Sequence, residues 1–265
     1  MNNDCDSVEP AMRIDRAWTW DLCACVGATL DDLTLNTFLH GYLPLAVSAE
    51  VLEANGRSTE EKLGSLRMYS RKFAAPTNAA ILLFGKDPLY FVPGAFVQFV
   101  RYDGPTRADP ILAEQRATGT LVEVMRELDA LTRQLEARRP VRTEGLTERQ
   151  EFDYPAVALH ELFMNAVIHR NYDGSTTPIM ISQFSDRIEV SNPGSLYGDL
   201  SRAEFPHGTA YRNPVIAEAA KVLGFANRFG RGVAIANALL KANSNPPVEF
   251  IIGESTLVAI VRKRT

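Results

Sequence analysis

Glu161-Leu162-Phe163-Met164-Asn165-Ala166-Val167-Ile168-His169-Arg170-Asn171-Tyr172 decides how the rest of the chain is read. On a helix, Glu161, Asn165 and His169 follow one another at four-residue steps and share a face. Leu159, Phe163, Ala166 and Val167 fall mostly on another face, as an amphipathic helix requires. The polar stripe combines a base, a neutral oxygen ligand and an imidazole. Such a set suits magnesium-assisted phosphate chemistry, because a carboxylate can orient or deprotonate water and an amide oxygen is a hard ligand. Taken alone, the same three residues also fit a solvated helix face.

The downstream sequence favours the first reading. Asp186-Arg187-Ile188-Glu189-Val190-Ser191 alternates like a half-buried strand and runs into Asn192-Pro193-Gly194. Arg212-Asn213-Pro214 follows, then Arg228-Phe229-Gly230-Arg231-Gly232-Val233, which opens an apolar helical run. Glycines just ahead of a helix let backbone N–H groups approach an anion at the positive helix end. A lone Gly-x-Gly says little, but the ordered series of Glu-x-x-x-Asn helix, Asn-Pro-Gly turn and glycine loop says more. Walker A is absent, since no Gly-Lys-Ser/Thr occurs. His160-Glu161 starts like a zinc-protease helix, yet Met164 stands where the second histidine is needed.

In that order, Glu-x-x-x-Asn-Ala-x-x-His-Arg-Asn-Tyr, Asn-Pro-Gly, Arg-Asn-Pro and Gly-Arg-Gly resemble the GHKL, or Bergerat-fold, ATPases. The branch most resembled is the ATP-binding proteins with a Schlafen-type AlbA domain, often labelled RecG-like or transcriptional regulators. Pro76-Thr77-Asn78-Ala79-Ala80-Ile81-Leu82-Leu83-Phe84-Gly85-Lys86-Asp87-Pro88 resembles that branch as well, so the likeness runs from roughly Leu33 to Arg262. It implies an α/β fold: a Bergerat-type two-layer sandwich, one mixed sheet with helices on one face, preceded by a smaller α/β domain. It implies ATP and Mg2+ as ligands, with slow hydrolysis coupled to closure of a lid. A nucleotide-sensing or DNA-associated regulator without turnover, and an ATP-dependent phosphotransferase or ligase, are the alternatives.

The resemblance also assigns roles. Glu161 would orient the attacking water, and Asn165 would ligate magnesium on the polyphosphate. Asn192 stands where many relatives carry an aspartate that accepts the adenine amine, and Gly194 would let the base approach the turn. Gly230 and Gly232 would present backbone donors to phosphates, Thr256 would support the base, and His169, Arg170 and Arg212 would contact the polyphosphate. At the glycine loop, relatives usually have Glu ahead of Gly-Ser/Thr-Gly. Here Asn227 and Arg231 replace the acidic and the small residue, and Arg231 could bind a phosphate. An AlbA-type module is expected to be absent before about residue 30.

Composition frames these expectations. The chain has 265 residues, 46% of them hydrophobic, enough for one large or two modest domains. No apolar run reaches membrane-spanning length. The polar start Met1-Asn2-Asn3-Asp4-Cys5-Asp6 does not read as a signal peptide, which points to a cytoplasmic protein. Cys23 and Cys25 have no second pair to complete a zinc site and read as buried thiols. Net charge is −4 over residues 1–145 and zero over residues 146–265. A large basic face is therefore not forced, and nucleic acid is not favoured as a partner. Arg138-Arg139, Arg142 and Arg262-Lys263-Arg264 are the noticeable basic clusters.

Residues 1–30 read as an irregular, mobile lead-in whose end Trp18 and Trp20 anchor. Residues 31–145 read as an α/β accessory domain and 146–265 as the ATP-binding domain. In the former, Asn78–Phe84 and Ala95–Tyr102 look like strands, and residues 111–139 look helical. Leu121, Val124, Leu128, Leu131 and Leu135 step by three and four; packing on their own domain is the first reading and a homodimer seam the second. In the latter, the helix enters at Tyr154-Pro155 and runs to about His169. Thr177–Phe184 and Arg187–Asn192 form an antiparallel pair, and residues 193–212 are a lid candidate. Pro214–Val222 and Gly232–Ala242 are helices, and Val248–Ile252 and Thr256–Val261 close the sheet.

Overall fold

The computed structural model describes residues 18–53, 56–136, 138–142, 148–198, 201–203, 205–206, 210–227 and 230–264. Most of the lead-in, Arg228-Phe229, part of the lid candidate and the side chains of Arg138, Arg139 and Arg142 lie outside the described residues. Short helices α1 (Leu43–Ala46), α2 (Ala49–Glu53) and α3 (Thr59–Ser65) come first, then a ribbon of β1 (Tyr69–Ser70) and β2 (Ala75–Pro76). Helices α4 (Asn78–Phe84) and α5 (Pro88–Phe91) precede strands β3 (Val97–Tyr102) and β4 (Ile111–Ala117). Helix α6 (Leu121–Leu135), the antiparallel pair β5 (Arg138–Arg142) and β6 (Glu148–Phe152), and helix α7 (Ala156–His169) follow. The chain closes with β7 (Ile179–Gln183), β8 (Arg187–Pro193), α8 (Pro214–Val222), α9 (Gly232–Ala242), β9 (Glu249–Ile252) and β10 (Thr256–Arg262).

Six strands form one mixed sheet in the order β4-β3-β7-β8-β10-β9. Every neighbouring pair is antiparallel except β3 and β7. A parallel pair needs a long crossover, and here the chain from β4 through α6 to α7 supplies it. Strands from both sides of residue 146 thus share one sheet. Ile181, Ile188, Val190, Ala259 and Val261 are buried on one face. Helix α7 touches β8 and packs between α6 and α9, so the architecture is a two-layer α/β sandwich. Among the described residues no helix is long and apolar enough to cross a membrane.

Three local readings change. Asn78–Phe84 is a helix, capped by Thr77 Oγ1, which accepts from Ala80 N. All seven residues are buried, and an apolar run buried all round carries no period that separates strand from helix. Ile111–Ala117 is a strand paired with β3, so the helical stretch narrows to α6. Its start is a capping box in which Thr120 and Glu123 exchange hydrogen bonds. The seam Leu121, Val124, Leu128, Leu131 and Leu135 is buried within the chain, on the side where α6 meets α7.

The lead-in is the third change, because residues 18–30 are docked. Trp20 stacks on Tyr172 with centroids 6.0 Å apart, and Asn78 Nδ2 donates to Trp20 O. Asp21 is fully buried, and its Oδ2 accepts from Val215 N at 2.7 Å and Ile216 N at 3.3 Å, the first turn of α8. Cys25 is a buried thiol whose pKa is pushed up to about 11 by burial and by Asp32, and Cys23 is buried as well. Replacing Asp21 with Ala leaves two helix-terminal donors without their acceptor. The expected cost is about 1–3 kcal/mol of stability, read as a lower urea midpoint at constant m-value.

Candidate functional site

Helix α7 owes its position to both of its ends. Past its C-terminus, Asn213 Nδ2 donates to Ile168 O and Arg170 O, each at 2.8 Å, satisfying terminal carbonyls and tying α7 to the start of α8. Towards its N-terminus, His160 bridges Asp129 on α6 and Phe225 O, each at 3.0 Å. The stripe of Glu161, Asn165 and His169 is thereby presented to a cleft. That cleft is bounded by α7, α8, the first turn of α9, β8, β10 and described parts of the 193–212 segment. It encloses about 160 Å³, and most of its lining residues are apolar.

Seven of the residues singled out in the sequence meet there: Glu161, Asn165, His169, Asn192, Gly194, Gly230 and Gly232. Glu161 is 8% exposed; its Oε1 accepts a short hydrogen bond from Asn227 Nδ2. Burial holds its carboxyl above the usual range, opposed by His160 and Asn227. Gly232 opens α9 directly against this stripe. A β-carbon on it would lie 2.6 Å from Glu161 Oε2 and 3.2 Å from Asn165 Nδ2. Gly194 adopts φ +104°, donates to Ser255 O at 2.7 Å, and has Asn171 Cβ within 2.9 Å of where its own would stand. Asn192 is 7% exposed, and its Oδ1 is buried with no hydrogen-bond partner.

The remaining four stand elsewhere. Arg170 is fully buried away from the cleft, with Nη2 donating to Ser175 O and Thr177 O and its guanidinium over the Tyr172 ring. Arg212 backs the wall, donating to Ser195 O at 3.0 Å and lying over Tyr197. Arg231 is exposed and outside the lining. Thr256 is exposed at the start of β10 opposite Pro193; Leu257, the partner of Asn192, takes the cleft side. The period-two alternation of a strand sends Thr256 to the other face.

Sequence reasoning missed Asn227 as a partner of Glu161, along with Tyr211, Lys221 and Phe250 in the lining. The Asn227 departure was visible, but its contact is 66 residues away in sequence. For Lys221 the signal was its place on the last turn of a helix that already read as such.

Residues 176–261 match the family model HATPase_c_4, described as "Putative ATP-dependent DNA helicase recG C-terminal". That segment is similar to an ATPase-like family. The match begins after α7, so Glu161 and Asn165 lie outside it. No curated protein matches the chain. The fold is similar to that of the DIP2311 protein from Corynebacterium diphtheriae, known from its crystal structure, with a TM-score of 0.69 and 18% identity. That alignment covers 96% of this chain and 50% of the other, so the chain spans about half the length of that protein.

His169 gives the site a pH signature. Burial, aided by Arg212, pushes its pKa down to about 4. Its ordinary value is about 6.5, so the unfolded chain binds the extra proton first. Stability from this group is fully present above about 6.5 and is lost as pH falls through 4. His169→Phe should flatten that loss in urea midpoints measured from pH 7 to pH 4.

Proposed function

We propose that the cleft binds an adenine nucleotide with magnesium, and that the protein is a slow magnesium-dependent ATPase of the GHKL type. The observation that carries this reading is the buried, unpartnered Oδ1 of Asn192 in the cleft wall. A buried acceptor without a donor is costly, and an adenine amine supplies the missing donor. Gly194 keeps the adjoining turn free of a side chain. The N-terminus of α9, an eleven-residue helix, offers backbone donors to an anion beside Gly232.

The donor set fits a metal that comes with its ligand. Asn165 supplies one neutral oxygen, and among the described residues no three His, Cys, Asp or Glu side chains converge on an ion. Magnesium, when bound, would offset the charge that builds on the polyphosphate. Glu161 holds the proton of a water placed beside Asn165, and its raised pKa suits that task. The chain's own part is thus positioning and proton handling, on which phosphoryl transfer chiefly depends. One observation favours the sensing alternative: Glu161 Oε1 is already engaged by Asn227. A nucleotide sensor would keep that bond, whereas an ATPase would open it.

Titration with ATP and ADP, with and without magnesium, tests binding. At about a hundred times its dissociation constant a ligand adds about 2.7 kcal/mol of stability; no thermal shift at millimolar Mg-ATP would count against the pocket. Asn192→Leu should move two measurements in opposite directions. Removing an unpartnered buried acceptor should stabilise the free protein by up to about 1–3 kcal/mol, while nucleotide affinity falls. A variant that is more stable and binds as well as wild type would sink the role of Asn192.

Glu161→Gln separates binding from chemistry. It should retain ATP while phosphate release falls by about 10²-fold or more. Equal turnover in the variant would remove Glu161 from the mechanism. A wild type that binds ATP but releases no phosphate would replace the ATPase with the sensor, and ADP formation that rises with an added acceptor would reveal a phosphotransferase.

A further inference from the structure

Lys221 lines the cleft from α8 with its side chain only 18% exposed. Its Nζ lies 4.7 Å from the centroid of the Tyr211 ring, and that ring stacks on His169 at 5.6 Å. A column of ammonium, phenol and imidazole thus joins α8 to the C-terminal end of α7. His169 adds no charge near neutrality, since its pKa lies at about 4. Arg212 is turned towards Ser195 O and Tyr197. Among the described lining residues, Lys221 is therefore the one permanent cation and Glu161 the one carboxylate.

The counter-charge of Lys221 is weak. Glu218 Oε2 is 3.6 Å away on a side chain 66% exposed, a contact readily exchanged for a better one. An ammonium resting on an aromatic face in a mainly apolar cleft has given up hydration without gaining a buried partner. Its depth in the cleft indicates what would meet it. Helix α8 runs antiparallel to α7: Asn213 at its start holds the end of α7, and Phe225 just past its end meets His160. Lys221 stands on the last turn, and its ammonium reaches back over Tyr211 towards the His169 end of α7.

We propose that Lys221 is a phosphate-binding residue of this cleft, so that the site selects nucleoside polyphosphates over nucleosides; this rests on the nucleotide reading above. Asn192 recognises the base, and Lys221, the one Lys or Arg among the described lining residues, recognises the anionic chain. Tyr211 holds the ammonium in place between ligand visits.

The test is a calorimetric titration of ATP and adenosine, without magnesium and at low salt, against wild type, K221M and E218Q, with circular dichroism to confirm folding. Wild type binds ATP more tightly than adenosine. K221M lowers that ratio by about tenfold or more, as expected for a lost charge-assisted hydrogen bond. E218Q, at an exposed position, removes the competing carboxylate and raises the ratio. A K221M protein that keeps the wild-type ratio overturns the assignment of Lys221 and leaves nucleotide binding standing. Should K221M not fold, an unchanged ratio in E218Q overturns it instead. A wild type that binds neither ATP nor adenosine overturns the nucleotide reading, and this inference with it.

Discussion

The start of α9 lies so close to α7 that no side chain fits between them. At Gly232 a β-carbon would come within 2.6 Å of a carboxylate oxygen of Glu161 and 3.2 Å of the Asn165 amide. This contact makes the polar stripe of α7 a wall of a cleft rather than a wet helix face. It brings the positive end of a helix up to a buried carboxylate and a half-buried amide, and it excludes water from one side of both. Asn227, five residues earlier, closes the arrangement by donating to Glu161. The charged state of the stripe and the shape of the cleft both follow from how near that backbone stands.

The second half of the chain was legible because its signals are local. Pro214 opens α8, Gly232 opens α9, and the strands on either side of Ser185-Asp186 alternate with period two. Several cleft-lining residues came with them, since Glu161, Asn165 and His169 sit at helical spacing and Asn192-Pro193-Gly194 ends a strand. What failed was information that no local window contains. Asn78–Phe84 is apolar throughout because it is surrounded, and that erases the period. Ile111–Ala117 is exposed along nearly its whole length, so no buried face marked it as a strand.

The residues that stand outside the cleft have equally specific causes. Thr256 is one residue from Leu257, and in a strand one residue is the other face. Arg170 follows His169 directly, yet the helix ends there and its backbone turns to an extended ψ of 140°. The side chain is thereby carried under Tyr172 and onto the carbonyls of residues 175 and 177. Asp21 reaches the first turn of α8 from 194 residues away. Its acidic side chain beside two tryptophans gave no hint that it caps a distant helix.

The parallel pairing of β3 with β7 has a consequence for the order in which the molecule is made. Strand β3 ends at Tyr102, but its central neighbour begins only at Ile179, about 75 residues later. At typical rates of about 5–20 residues per second, roughly 4–15 s separate the two on the ribosome. During that interval β3 and β4 can pair with each other only with one edge bare. That bare edge carries Val97, Phe99 and Val100, which are buried once the sheet is complete. An unpaired apolar edge is a template for pairing with another chain. The long crossover that completes the sheet therefore also sets how long that edge must wait for its own partner.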